Sequence, residues 1–240
     1  MPLPSSDLPR PSPDVMGWSP TSTGCDVHGV LFDMDGTLVD STPVVEFLWG
    51  EFAARYGIDL APLLRYAHGR QSHDTIQEFA PPGVDPAAAT AEFERRELTC
   101  MTGIAEIAGA RQLLAAIGDA HIAVVTSAPR ALAVARLTAA GLSIPTVLVT
   151  SEDVPRGKPD PAGYTLAAAR FPGRSAGCLA IEDAQAGIQA AIASGARTLV
   201  LGSHRSPATR HLPRVPDLTV IHATRHADHR VHLRWPHPAA

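Results

Sequence analysis

Asp33 and Asp35 close the apolar run Gly29 to Phe32 in the stretch Asp33-Met34-Asp35-Gly36-Thr37. Side chains two residues apart in extended chain leave on the same face, so the two carboxylates can converge on one small site. Such a pair suits covalent chemistry: one carboxylate attacks, the other moves a proton, and a cation offsets their repulsion. Standing alone, the pair reads equally as two solvated turn aspartates. Three more polar clusters follow. Thr126-Ser127-Ala128 offers a hydroxyl and backbone N–H groups suited to phosphate oxygens, Lys158 lies on the Pro-flanked loop Gly157-Lys158-Pro159-Asp160-Pro161, and Glu182-Asp183 provides hard oxygen ligands of the kind Mg²⁺ prefers. Each has a plain alternative as a helix cap or a surface charge.

The elements that must position these clusters repeat one pattern. The runs Ile122 to Val125, Thr146 to Val149 and Cys178 to Ile181 each end in a polar cluster, and Thr198 to Leu201 adds a fifth strand candidate. Between them, Arg130 to Ala140 and Ala184 to Ser194 read as helices stopped by Gly141 and Gly195. Strands alternating with helices predict an α/β fold with a doubly wound, Rossmann-like parallel sheet. Its ligand crevice lies beyond the carboxyl ends of the strands, where the polar clusters fall. Between Asp40 and Ile107 no strand is expected, and Val44 to Tyr56 and Ala87 to Leu98 read as amphipathic helices. The expected organisation is a core at 27–40 and 108–222, with a small all-helical cap at 41–107 inserted after the first strand, over the crevice.

Residues 1–26, rich in proline, serine and threonine, read as a disordered leader, beginning at Met1 or Met16. Residues 223–240 read as a solvated tail. Seven of the eleven histidines fall in the last 37 residues, in a spacing that indicates adventitious metal binding rather than a built site. Across the whole chain of 240 residues, 45% hydrophobic and 18% charged with a net charge of −4, the composition is that of a soluble globular protein. Twenty Lys and Arg against 24 Asp and Glu, without like-charge runs, leave no basic face for nucleic acid. Three scattered cysteines indicate neither a disulfide framework nor a zinc ribbon, and no apolar stretch is long enough to span a membrane. A cytoplasmic setting is expected.

Taken together and in order, Asp-x-Asp, Thr/Ser, Lys and Glu-Asp resemble the four motifs of the haloacid dehalogenase superfamily of phosphotransferases, over roughly Val27 to Leu201. The resemblance implies that Asp33 is the nucleophile that takes a phosphoryl group as an aspartyl phosphate, and Asp35 the acid/base. It implies that Thr126 holds phosphate, with Ser127 and Ala128 as further substrate contacts, and that Lys158 offsets the charge gathered there. Mg²⁺ would sit on Asp183, the Asp33 carboxylate and the Asp35 backbone carbonyl, with Glu182 completing the metal's surroundings. The cap stretch His68-Gly69-Arg70-Gln71-Ser72-His73 is similar to that of the sugar and polyol phosphatase branch, which makes His68, Arg70, Gln71 and His73 candidates for substrate specificity.

Ser72 stands where the similar β-phosphoglucomutases carry an arginine for a second phosphate, which favours hydrolysis and leaves a mutase as the alternative. A receiver-like phospho-switch is a further alternative, opposed by Asp35 and by the long insert; a scaffold without activity is opposed by the intact motifs. The expected partner is a small phosphorylated sugar or polyol, with no nucleic acid and no membrane, bound by a monomer or weak dimer.

Overall fold

The computed structural model describes residues 18–237, so most of the expected leader, Met16 included, lies outside the described residues. After the strand β1 (Gly24–Val27), the chain enters β2 (Gly29–Phe32), the central strand of a six-stranded sheet. The strands β5 (Ile122–Val125), β6 (Val147–Val149), β7 (Cys178–Glu182), β8 (Arg197–Leu201) and β9 (Arg214–Val215) join it in the order β6-β5-β2-β7-β8-β9. All five pairings are parallel. The expected doubly wound α/β sheet is therefore present. Its connections run outward on either side of the β2–β7 pair, so the ligand crevice opens above the ends of these two strands.

Successive residues of β2 feed two separate apolar clusters. Val30 and Phe32 join the cluster on one face of the sheet, and Leu31 joins the other with Tyr164 and Ala180. Burial on both faces explains why the central strands read as continuous apolar runs. The helices α5 (Ala110–Ile117), α6 (Arg130–Ala139), α7 (Ala162–Ala168) and α8 (Gln185–Ser194) connect the strands. None of the described helices is long and apolar enough to cross a membrane.

Four helices lie between β3 (Val39–Asp40) and β4 (Ala105–Glu106), two short strands paired antiparallel in a ribbon. They are α1 (Thr42–Tyr56), α2 (Leu60–Ala67), α3 (Ser72–Phe79) and α4 (Pro86–Thr99). Trp49 of α1 stacks on Phe93 of α4 with centroids 4.0 Å apart, and Phe52 meets both rings edge-on. These aromatics fix α1 against α4, whose last turn meets α6 through the Arg136–Glu97 pair.

Both ends of the chain depart from expectation. Residues 24–26, read as disordered, belong to β1, which pairs with β11 (Val231–Arg234), and β11 pairs in turn with β10 (His222–Arg225). The tail is thus a hairpin in a three-stranded antiparallel sheet, and the boundary expected at 222 cuts through β10. The reason is a period-two pattern beneath the histidines: Val231, Leu233 and Trp235 are all buried, whereas His232 and Arg234 point away. Trp235 Nε1 donates to Ser22 O at 2.7 Å, and its ring meets Trp18 edge-on, joining the two termini.

Candidate active site

Asp33 leaves the end of β2, where its N–H donates to Ile181 O of β7 at 3.1 Å. Its carboxylate is buried beside two others, Glu182 and Asp183, with ligand oxygens of all three within 4.8 Å of one another. Lys158 Nζ bridges the group, donating to Asp33 Oδ1 and, at 2.8 Å, to Glu182 Oε1. Burial alone would lower the lysine's pKa, but the two carboxylates outweigh it and hold Lys158 above its ordinary value. It is a fixed positive charge.

Glu182 is committed to holding that lysine. Oε1 also accepts from Tyr164 Oη at 2.8 Å, while Oε2 accepts from the N–H groups of Asp183 and Ala184 at 3.1 and 3.3 Å. The first turn of α8 closes over this carboxylate, and a Cβ at Gly187 would lie 1.6 Å from Glu182 Oε1. Asp183 turns the other way, accepting from Thr37 Oγ1 at 2.9 Å. Gly36 makes that approach possible, since its φ is +88° and a Cβ there would lie 2.3 Å from Asp183 Oδ2.

Three carboxylates face one lysine, so negative charge is left over. Burial, then the Glu182 charge, pushes Asp33 well above the usual carboxylate range, and the same two causes push Asp183 up to about 7. Two oxygen donors short of positive charge, Asp33 buried and Asp183 half-buried, form a donor set that fits a hard divalent cation.

Asp35 is held separately. Its Oδ1 accepts from Ser41 Oγ at 2.6 Å and from Arg136 Nη1 of α6 at 3.0 Å. Arg136 Nη2 donates to Glu97 Oε1 of α4 at 2.8 Å, and Ser72 Oγ donates to Glu97 Oε2 at 3.1 Å. Both Arg136 and Glu97 are buried. Burial raises Glu97 against the attraction of Arg136, whereas Arg136, facing two carboxylates, is raised in spite of burial. Its Nε is buried without a hydrogen-bond partner among the described residues.

Neither Arg136 nor Glu97 is among the residues expected from sequence. A signal for them exists: Arg136 shares the buried face of α6 with Leu132 and Ala133, and Glu97 that of α4 with Thr90 and Phe93. A charged residue on an apolar helical stripe marks a buried ion pair.

The cleft between the ends of the sheet strands and helices α1–α4 is lined by Asp33, Asp35, Thr126, Ser127, Ala128 and Asp183 from one side and His68, Arg70 and Ser72 from the other, with Glu97 and Arg136 in its wall. Ser127 Oγ donates to Gly69 O at 2.8 Å across the two sides. Thr126 Oγ1 accepts from Ala128 N at 3.1 Å. Arg70 lies over the Tyr66 ring at 4.4 Å. Gln71 does not line this cleft but packs on Gly157, in the loop that carries Lys158. His73 is exposed and does not line it either. It follows Ser72 on α3, and one helical step of about 100° turns it away once Ser72 faces Glu97.

Comparisons place this arrangement among known proteins. Residues 27–195 match the family described as "Hydrolase: haloacid dehalogenase-like hydrolase". The chain is 39% identical over 180 residues to hexitol phosphatase A of Escherichia coli (strain K12), covering 73% of this chain and 83% of that one. It is 35% identical over 173 residues to validoxylamine A 7'-phosphate phosphatase of Streptomyces hygroscopicus subsp. limoneus, covering 69% and 81%. In fold it resembles the crystal structure of CbbY from Rhodobacter sphaeroides in complex with phosphate, with a TM-score of 0.68 at 21% identity over 80% of this chain and 95% of that one.

Proposed function

Because the chain belongs to the haloacid dehalogenase-like hydrolase family and, like the hexitol and validoxylamine phosphatases it resembles, is a phosphoric monoester hydrolase, we propose that it hydrolyses small phosphorylated sugars or polyols through a phosphoryl group carried on Asp33. The observation that supports this most directly is the Lys158 ammonium fixed between Asp33 and Glu182, with Asp183 beside them at the floor of a cleft.

In this reading an Asp33 oxygen attacks phosphorus as the bond to the leaving oxygen breaks, giving an aspartyl phosphate. Asp35 gives the leaving alkoxide its proton. Asp35 then takes a proton from water as that water attacks the phosphorus, and inorganic phosphate leaves with Asp33 restored. Ser41 and Arg136 hold Oδ1 of Asp35, so the proton is carried on Oδ2. Lys158 offsets the charge on the transferring group, and the Thr126 hydroxyl with the Ser127 N–H group binds its oxygens, while the Ala128 N–H holds the Thr126 oxygen in place.

The donor set fits Mg²⁺ held by the Asp33 and Asp183 carboxylates and the Asp35 backbone carbonyl. Once bound, the ion would neutralise the carboxylates and the phosphoryl oxygens, letting an anionic nucleophile approach an anionic substrate. Glu182 is saturated by Lys158, Tyr164 and two backbone N–H groups, so we assign it to anchoring the lysine instead of binding the ion.

We take helices α1–α4 as the cap, and the carboxylate of Glu97 with His68 and Arg70 as the groups facing the substrate's hydroxyls, the chemistry a sugar or polyol presents. A mutase finds no support, since Ser72, where an arginine would be required, donates to Glu97. The test is phosphate release from a panel of hexitol, sugar and glycerol phosphates, with Mg²⁺ and with EDTA. Multiple turnover that requires Mg²⁺ and is lost in Asp33→Asn is expected. No release from any member would overturn the substrate class, and release unaffected by Asp33→Asn would overturn the mechanism.

A further inference from the structure

Outside the cleft, the described residues hold a second group of potential metal ligands, Asp26, His226 and His232, with one ligand atom from each within 4.8 Å of the others. We propose that this is a binding site for a transition-metal ion of the Zn²⁺ class, built by the folding of the two chain ends onto each other. The inference does not rest on the hydrolase reading above, because none of the three residues belongs to the cleft.

Strand register brings them together. Asp26 of β1 lies directly opposite His232 of β11, and His232 lies opposite Thr224 of β10. His226 is two residues beyond Thr224, and its N–H donates to Arg230 O at 2.8 Å, which continues the hairpin pairing past the end of β10. With a side-chain period of two, Asp26, His232 and His226 therefore share one face of the three-stranded sheet. The other face is occupied by Val27, Val231 and Leu233, all buried in the apolar core. A slip of one residue would bury the ligands and expose the core, so the same pattern that folds the sheet sets the ligand positions.

His232 Nδ1 lies 3.1 Å and His226 Nε2 3.9 Å from a single oxygen, Asp26 Oδ1. Ligands on one Zn²⁺ at about 2.0–2.2 Å sit roughly 3–3.5 Å apart, so small rotations of exposed side chains complete the arrangement. His232 occupies the middle strand, paired on both sides, which limits the reorganisation that binding would require. The nearby Arg230 does not take the Asp26 carboxylate, because its Nε and Nη2 pair with Asp228 at 2.8 and 2.7 Å. Two imidazoles with one carboxylate favour Zn²⁺, Ni²⁺ or Cu²⁺ over Mg²⁺ or Ca²⁺, which select all-oxygen sites. Such an ion would tie the strand that precedes β2 to the C-terminal hairpin.

The test uses the full chain without an added tag, in saturating Mg²⁺ so that the cleft carboxylates are occupied by a hard cation. Zn²⁺ binding is followed by calorimetry, Co²⁺ binding by visible absorption, and thermal unfolding is measured with and without Zn²⁺. One Zn²⁺ per chain at micromolar concentration, a Co²⁺ band and a raised unfolding midpoint are expected. His226→Ala with His232→Ala, and separately Asp26→Asn, should each weaken binding by at least about tenfold and remove the midpoint shift, with phosphatase activity unchanged. His204→Ala with His211→Ala should bind as wild type. Zn²⁺ binding that survives the 226/232 double substitution, or saturates only at millimolar concentration as an adventitious ion only, would overturn the proposal.

Discussion

Arg136 Nη1 donates to Asp35 Oδ1 at 3.0 Å although 101 positions separate the two residues in the chain. The same guanidinium reaches Glu97 at 2.8 Å, so one side chain joins α6, the proposed acid/base and the last turn of α4. Substituting Arg136→Met strands the buried Glu97 charge and should cost about 3–5 kcal/mol in denaturant unfolding. It should also lower kcat by about a hundredfold, because Asp35 loses a positioning partner. The double substitution Arg136→Met with Glu97→Leu removes both charges and should recover most of the stability. If Arg136→Met alone, assayed where it is fully folded, kept the wild-type kcat, Arg136 would be structural and nothing more.

Glu97 also predicts a pH dependence. Burial, which outweighs the nearby Arg136, raises its folded pKa above the usual 4.5. Relative to the unfolded chain the fold favours protonation of Glu97, so this stabilising contribution is fully present below pH 4.5 and is lost as pH rises through the raised value. Glu97→Gln removes that dependence. Relative to wild type, the variant should gain stability as pH rises above 4.5, read as the denaturant midpoint at each pH. A difference that shrank with rising pH would contradict the assignment.

Gly187 and Gly50 should respond oppositely to alanine. A Cβ at Gly187 would lie 1.6 Å from Glu182 Oε1, the oxygen that holds Lys158 and Tyr164. Gly187→Ala should therefore cost about 1–3 kcal/mol and weaken inhibition by inorganic phosphate, since the lysine's anchor is displaced. At Gly50, inside α1, the added methyl meets only Leu60 Cδ2 at 3.9 Å. Gly50→Ala should stabilise by about 0.5–1 kcal/mol with unchanged kinetics.

Mg²⁺ should stabilise the protein as well as activate it. At a hundredfold excess over Kd, a ligand specific to the folded state adds about 2.7 kcal/mol, which calorimetry resolves as a raised Tm. Asp183→Asn should abolish this shift while leaving any Zn²⁺ effect at Asp26, His226 and His232 in place.

Ending the chain at Ile221 should unfold it. Val231 and Leu233 are 0% exposed and Trp235 is 3% exposed. At about 2 kcal/mol each, their loss exceeds the lower end of a typical domain stability of about 5–15 kcal/mol. Circular dichroism of the shortened chain would show it, and a cooperative transition close to wild type would refute the role given to the hairpin.

The central sheet and its four polar clusters were legible in the amino-acid order because their signals are local. Apolar runs such as Ile122 to Val125 have a strand's length, glycines such as Gly141 and Gly195 stop helices, and Asp33 and Thr126 follow directly on strands that burial on both faces makes apolar throughout, as Glu182-Asp183 follows the apolar run Cys178 to Ile181. Family resemblance then assigned expected roles to those residues, and the fold brings them to one floor.

The ends of the chain were misread for an equally local reason. Histidines, prolines and arginines masked an alternation of Val231, Leu233 and Trp235 only three members long, and β1 had no visible partner until the last residues folded back over 200 positions to meet it. Proline-rich composition around Gly24 to Val27 said nothing of that pairing.

Sequence by itself determined which residues could do chemistry and which strands would carry them. Tertiary structure alone decided which charges are held by which: that Glu182 secures Lys158, that Arg136 reads both Asp35 and Glu97, that His73 turns outward, and that Asp26 meets two histidines. The physical reason is range. Strand and helix propensity act over a few neighbouring residues, whereas the energy of a buried charge depends on partners and burial that exist only once distant segments have packed.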